Sequence, residues 1–175
     1  MLLFLIGYMG SGKSSLGPAL AERLGLPFVD LDKEIETKEG RSIAAIFKEE
    51  GEDYFRALEA NTLQSFDPHV PMVIATGGGA PCFHNNMDWM LDNGIVFYLS
   101  CSPEIIRDRL LGTEMNQRPL IRNKSEQELL AFITQHLKER EIFYQKAHFT
   151  IDGNANLESL VEDVAKYASR FKRGF

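Results

Sequence analysis

Leu2-Leu3-Phe4-Leu5-Ile6-Gly7-Tyr8-Met9-Gly10-Ser11-Gly12-Lys13-Ser14 decides how the rest of the chain is read. Leu2–Ile6 is a continuous apolar run, the pattern of a parallel strand buried on both faces. Gly7–Ser14 fits G-x-x-x-x-G-K-[ST] at every fixed position. The glycines let backbone N–H groups turn inward around phosphate oxygens. A helix that begins at Lys13 adds its N-terminal dipole. Lys13 then serves the β- and γ-phosphates and Ser14 ligates magnesium. Gly10, Ser11, Gly12 and Ser15 complete the nucleotide-binding set. A glycine-rich turn with an incidental lysine explains neither the strand before the loop nor the helix after it. The loop therefore implies ATP with magnesium.

Outward from this loop, strand and helix patterns alternate. Helical spacing runs over Lys13–Leu24 through Leu16, Leu20 and Leu24, and Gly25 stops it. Pro27–Leu31 reads as a second strand; Asp32–Glu39, Ser42–Glu49 and Glu52–Phe66 read as helices parted by Gly40 and Gly51. Met72–Ala75 reads as a third strand, Phe83–Asp92 as a helix, Ile95–Leu99 as a fourth strand and Pro103–Leu111 as a helix started by Ser102 and Pro103. Gly112–Asn123 lacks apolar periodicity and reads as a mobile loop. Ser125 and Glu128 form a capping box before a helix to about Gln145. His148–Ile151 is the fifth strand, and Asn156 caps a last helix to about Phe171. Such alternation implies one α/β domain over residues 1–175, with a parallel sheet and right-handed crossovers.

Composition narrows the class. The 175 residues are 44% hydrophobic and 25% charged, ordinary for a globular protein, and the net charge of −6 disfavours nucleic-acid binding. The apolar N-terminal run is too short to span a bilayer. Two cysteines, Cys82 and Cys101, suggest reduced thiols in a cytoplasmic protein rather than a disulfide framework.

The GTPase signatures D-x-x-G and N-K-x-D are absent, the nearest string being Asn123-Lys124-Ser125-Glu126. Neither the third nor the fourth strand ends in an aspartate. Asp30 and Asp32, which end Phe28-Val29-Asp30-Leu31-Asp32, supply the carboxylates instead. In open α/β sheets the ligand crevice lies at strand carboxyl ends, and alternation points the pair the same way. One orders magnesium-bound water; the other takes a hydrogen bond from an acceptor hydroxyl. The plain alternative is helix capping.

Gly77-Gly78-Gly79 allows close approach of a ligand to the backbone. Arg56 and Arg140 as a pair can clamp a carboxylate, with Glu59 one turn from Arg56 to hold it. Arg118, beside Pro119, can stabilise charge during transfer. Arg109 reads as an adenine contact. The four histidines show no ligand spacing and read as non-catalytic.

The set resembles the shikimate kinases: the loop at Gly7–Ser14, Asp30-x-Asp32, Phe55-Arg56-x-x-Glu59, Gly77-Gly78-Gly79, Arg118-Pro119-Leu120 and Arg140-x-x-x-Tyr144. The resemblance covers nearly the whole chain. It implies a three-layer nucleoside-monophosphate-kinase fold with a five-stranded parallel sheet. It implies a substrate-binding part near residues 32–60 and a lid near 112–123. The implied reaction is ATP plus shikimate giving ADP and shikimate 3-phosphate, on the route to chorismate and aromatic amino acids. Asp32 would meet the shikimate hydroxyls as base, and Asp30 would reach magnesium through water. Arg56 and Arg140 would hold the carboxylate, with Gly78 and Gly79 beside the substrate. Arg118 would meet phosphate oxygens. The expected state is a monomer acting on small molecules, without nucleic acid or membrane. Other kinases of the same fold, acting on gluconate or nucleotides, and a non-catalytic nucleotide-binding regulator are the alternatives.

Overall fold

The computed structural model describes residues 1–112 and 124–171. Five parallel strands form one sheet in the order β2-β3-β1-β4-β5. They are β1 (Leu2–Ile6), β2 (Phe28–Asp30), β3 (Met72–Ala75), β4 (Gly94–Ser100) and β5 (Phe149–Asp152). The helices are α1 (Lys13–Leu24), α2 (Leu31–Glu39), α3 (Ile43–Glu50), α4 (Glu52–Gln64), α5 (Asn86–Asn93), α6 (Pro103–Leu111), α7 (Glu126–Tyr144) and α8 (Leu157–Phe171). None of the described helices is long and apolar enough to cross a membrane.

β1 is central, pairing with β3 on one side and β4 on the other, and all five of its residues are fully buried. Alternation along the strand divides the core. Leu2, Phe4 and Ile6 face the cluster built with α2–α7; Leu3 and Leu5 face α1 and α8, where Leu16, Leu20 and Val164 pack. Side chains of period two on a strand covered on both faces require this division.

Local signals set most helix ends. Ser42 caps α3, Ser102 caps α6, and the Ser125–Glu128 capping box forms at α7. Asn156 accepts from Ser159 N–H at 2.9 Å, as its cap position requires. Two expectations need correction. β2 ends at Asp30, and Asp32 lies in the first turn of α2 rather than on a strand. The cause is Asp30, whose carboxylate accepts from the N–H groups of Asp32 and Lys33 and so starts the helix. The helix expected from Phe83 begins at Asn86, after a 3₁₀ turn at Ala80–Cys82 and positive φ angles at His84 and Asn85.

A strand order that reverses about β1 opens a crevice at the carboxyl ends of β1, β2 and β3. The phosphate loop, Asp30 and the glycine triplet all follow those ends. At the other end of the sheet Gly94 pairs with Leu2, and a Cβ there would lie 2.4 Å from the Leu2 carbonyl oxygen. Gly94→Ala is expected to cost about 1–3 kcal/mol by overpacking this strand junction. Urea denaturation measures it, and an unchanged midpoint would mean that the junction yields freely.

Candidate active site

The loop between β1 and α1 turns on glycines at positive φ, with Gly10 at 77° and Gly12 at 104°. No side chain among the described residues caps α1, so no side-chain acceptor competes for its N-terminal N–H groups, although that of Ser15 turns back to the Gly12 carbonyl at 3.1 Å. Lys13 is buried, and its ammonium donates to the carbonyls of Gly7 at 2.8 Å and Tyr8 at 2.9 Å. A cleft of about 540 Å³ opens over this loop. Gly10, Ser11, Gly12, Lys13, Ser14 and Ser15 line it together with Asp30, Asp32, Gly78 and Arg109. The residues that the sequence assigned to nucleotide and metal thus share one cavity, apart from Arg118, which lies outside the described residues.

The metal question turns on the donor set. Among the described residues no cluster of three or more His, Cys, Asp or Glu is arranged to hold an ion. Ser14 and Asp30 offer one hydroxyl and one carboxylate on the same cleft. Completed by phosphate oxygens and water, that set fits magnesium, which seldom takes an all-protein cage.

Arg109 does more than line the cleft. Its guanidinium donates to the carbonyls of Ser11 at 3.0 Å, Gly10 at 3.4 Å and Gly153 at 2.9 Å. One side chain on α6 therefore ties the phosphate loop to the turn after β5. Sequence reasoning gave Arg109 an adenine contact and had no means to see these carbonyls converge.

Along the cleft wall, the glycine triplet meets a different polar group at each residue. A Cβ on Gly77 would sit 2.6 Å from Glu59 Oε1 and 2.8 Å from Asp32 Oδ1. One on Gly78 would sit 3.2 Å from Met9 N and 3.5 Å from Arg140 Nη1. One on Gly79 would sit 2.6 Å from Arg56 Nη1. The triplet is a matter of space, and Gly77 belongs with Gly78 and Gly79. Tyr144 fixes the strip, its hydroxyl donating to the Gly78 carbonyl at 2.5 Å. Arg140 and Tyr144 share a face of α7, one turn apart.

The two arginines differ in charge balance. Arg56 donates to Glu52 at 3.1 Å and to Glu59 at 2.9 Å, and its guanidinium lies 4.5 Å from the Phe83 ring centroid. Arg140 is 9% exposed and lies 5.6 Å from the Tyr8 ring centroid. No carboxylate among the described residues forms an ion pair with it.

The family model for shikimate kinase matches residues 9–170. The chain belongs to the shikimate kinase family. A relative from Bacteroides fragilis, a shikimate kinase, is 40% identical over 169 residues, covering 94% of each chain. The crystal structure of the shikimate kinase of Bacteroides thetaiotaomicron superposes with a TM-score of 0.89 at 38% identity, covering 95% of this chain and 97% of that one. That of Acinetobacter baumannii shikimate kinase, in complex with shikimate, gives 0.83 at 34%, covering 99% and 93%.

In this member of the shikimate kinase family one buried acid stands out. Glu59 is fully buried, and its Oε1 has no hydrogen-bond partner among the described residues. Burial pushes its carboxyl up from 4.5 to about 7, against the pull of Arg56; the nearby Asp32 charge adds to the rise. The ion pair at 2.9 Å argues for the charged form, but desolvation outweighs it. A raised carboxyl favours the folded state when neutral. That contribution is full below pH 4.5 and is lost as pH rises through about 7. Glu59→Gln is therefore expected to lose less stability than wild type between those pH values. Melting temperatures at pH 5 and pH 8 test this, and parallel losses in both proteins would overturn it.

Proposed function

We propose that this chain transfers the γ-phosphoryl group of ATP to the 3-hydroxyl of shikimate, giving ADP and shikimate 3-phosphate on the route to chorismate. The observation that carries the acceptor's chemistry is Arg140, a buried guanidinium without a carboxylate among the described residues. A buried cation is costly unless a counter-charge is supplied. A small acceptor with its own carboxylate supplies it, and Arg56, across Gly79, is the second arm of the clamp.

Phosphoryl transfer asks for in-line positioning and charge neutralisation more than covalent chemistry. Lys13 meets the β- and γ-phosphates and exchanges its loop carbonyls for phosphate oxygens. The N–H groups of the loop and of α1 hold the same oxygens, with Gly10, Ser11, Gly12 and Ser15 contributing. Ser14, and Asp30 through water, would hold magnesium, which would supply neutralisation of phosphate charge. Asp32 takes the hydrogen bond of the acceptor hydroxyl and orients it. Gly78 and Gly79 let the acceptor lie against the backbone. Arg109 borders the adenine side with Leu157, and Arg118 belongs to the lid of residues 112–123. The acceptor-binding part is residues 32–60 of one domain. The same reading has a cytoplasmic monomer acting on small molecules, and the net charge of −6 speaks against nucleic acid.

Turnover is measured as ADP formation with shikimate, with gluconate and nucleoside monophosphates in parallel. Shikimate-dependent turnover that vanishes in Lys13→Ala supports the reading; turnover only with another acceptor defeats it. Asp32→Asn is expected to keep ATP affinity and to lose about 100-fold or more in kcat. A rate within a few-fold of wild type would remove Asp32 from the chemistry. Arg140→Ala is expected to raise KM for shikimate about 30-fold or more while leaving KM for ATP nearly unchanged. Equal rises would refute the clamp.

A further inference from the structure

The phosphate-loop motif leaves Tyr8 free to be any residue, yet Tyr8 is 1% exposed and touches three functional parts at once. Its carbonyl accepts from the Lys13 ammonium at 2.9 Å. Its ring lies 5.6 Å from the Arg140 guanidinium. Its hydroxyl lies 3.0 Å from Nδ1 of His136, one turn before Arg140 on α7. The two rings meet edge to face at 5.7 Å and 86°. His136 in turn packs on Phe132 at 5.1 Å, and Lys124 Nζ lies 4.9 Å from the Phe132 ring centroid. A ladder of side chains thus runs along α7 from its N-terminal end to the phosphate loop.

Hydrophobic packing alone would be served by phenylalanine at position 8. A buried hydroxyl calls for a partner, and here the partner sits on the element that carries the acceptor arginine. Burial pushes the Tyr8 phenol up to about 12, against the pull of the Arg140 charge, so the hydroxyl keeps its proton and stays a neutral hydrogen-bonding group. Burial, then the Arg140 charge, pushes His136 below its ordinary value and so favours the neutral ring, in which one nitrogen accepts and the other donates.

We propose that Tyr8 and His136 are a positioning pair. Their hydrogen bond fixes the phosphate loop against α7, and so fixes the distance between Lys13 and the carboxylate held by Arg140. This rests on the kinase reading above. Neither residue touches the reacting atoms, which agrees with the histidine's lack of any catalytic signature in the sequence.

The test uses Tyr8→Phe, His136→Leu, the double variant and His136→Asn. Each single removal is expected to raise KM for shikimate three- to tenfold while KM for ATP stays within twofold. The double variant is expected to be no worse than the worse single, because one bond is lost in each case. His136→Asn, which restores a side-chain acceptor, is expected to recover part of the loss. Unmoved shikimate KM in both singles, equal rises for ATP and shikimate, or additive losses would each overturn the proposal. The pair is also read without turnover. Tyr8→Phe is expected to shift the ring-nitrogen resonances of His136 and the Nε resonance of Arg140 in the unliganded chain, and unmoved resonances overturn it. A wild type inert toward shikimate defeats the kinase reading instead, and the resonances then decide the pair alone.

Discussion

Leu2–Ile6 touches no solvent on either face, and the site depends on that confinement. A strand held by two parallel neighbours and two apolar layers cannot tilt or slide without opening the core. The turn that leaves it is therefore aimed at a fixed point. Gly10 and Gly12 supply the positive φ angles that bring N–H groups around that point, and Lys13 starts the helix that backs it. Arg109 closes the construction from outside by binding two carbonyls of the same turn. The loop is rigid because its flanks are rigid, and anion binding then requires little reorganisation of the backbone.

Charge is arranged around the glycine triplet rather than within it. Gly77 faces two acids, Gly78 faces the phosphate loop and Arg140, and Gly79 faces Arg56. The strip of backbone without side chains lets groups from α2, α4 and α7 come within contact of one line. Arg56 is hydrogen-bonded to the carboxyl groups of Glu59 and Glu52, while Arg140 rests on the Tyr8 ring, which offers attraction but no full counter-charge. That asymmetry leaves one of the two buried guanidinium groups without a carboxylate among the described residues. Tyr144 holds the strip in place through the Gly78 carbonyl.

Much of this was legible in the sequence, for local reasons. The apolar run of β1, the glycine spacing, the Ser102 and Ser125 caps and the alternation of elements are all short-range signals. They led to the sheet, the crevice and the family. The Asp30-x-Asp32 pair was legible as a pair but not as a geometry, because whether a strand or a helix owns Asp32 depends on where Asp30 directs its carboxylate. The bonds of Arg109, the partner of Tyr8 and the burial of Glu59 join residues far apart in sequence or depend on packing from several elements, so no local pattern announces them. Gly77 was legible as part of a glycine triplet but not as the residue that makes room for Glu59 and Asp32. Arg118 lies outside the described residues and stays an expectation.

The strand order has a consequence for biosynthesis. β1 is made before either of its neighbours, yet it pairs with Met72–Ala75 and Gly94–Ser100. Until those segments are synthesised, an apolar stretch with unmet N–H and C=O groups on both edges has nowhere native to go. Contacts of such long sequence separation form late, and exposed strand edges invite association with other chains. The segment that makes the phosphate loop rigid in the finished protein is thus the one most in need of protection while the chain is still growing.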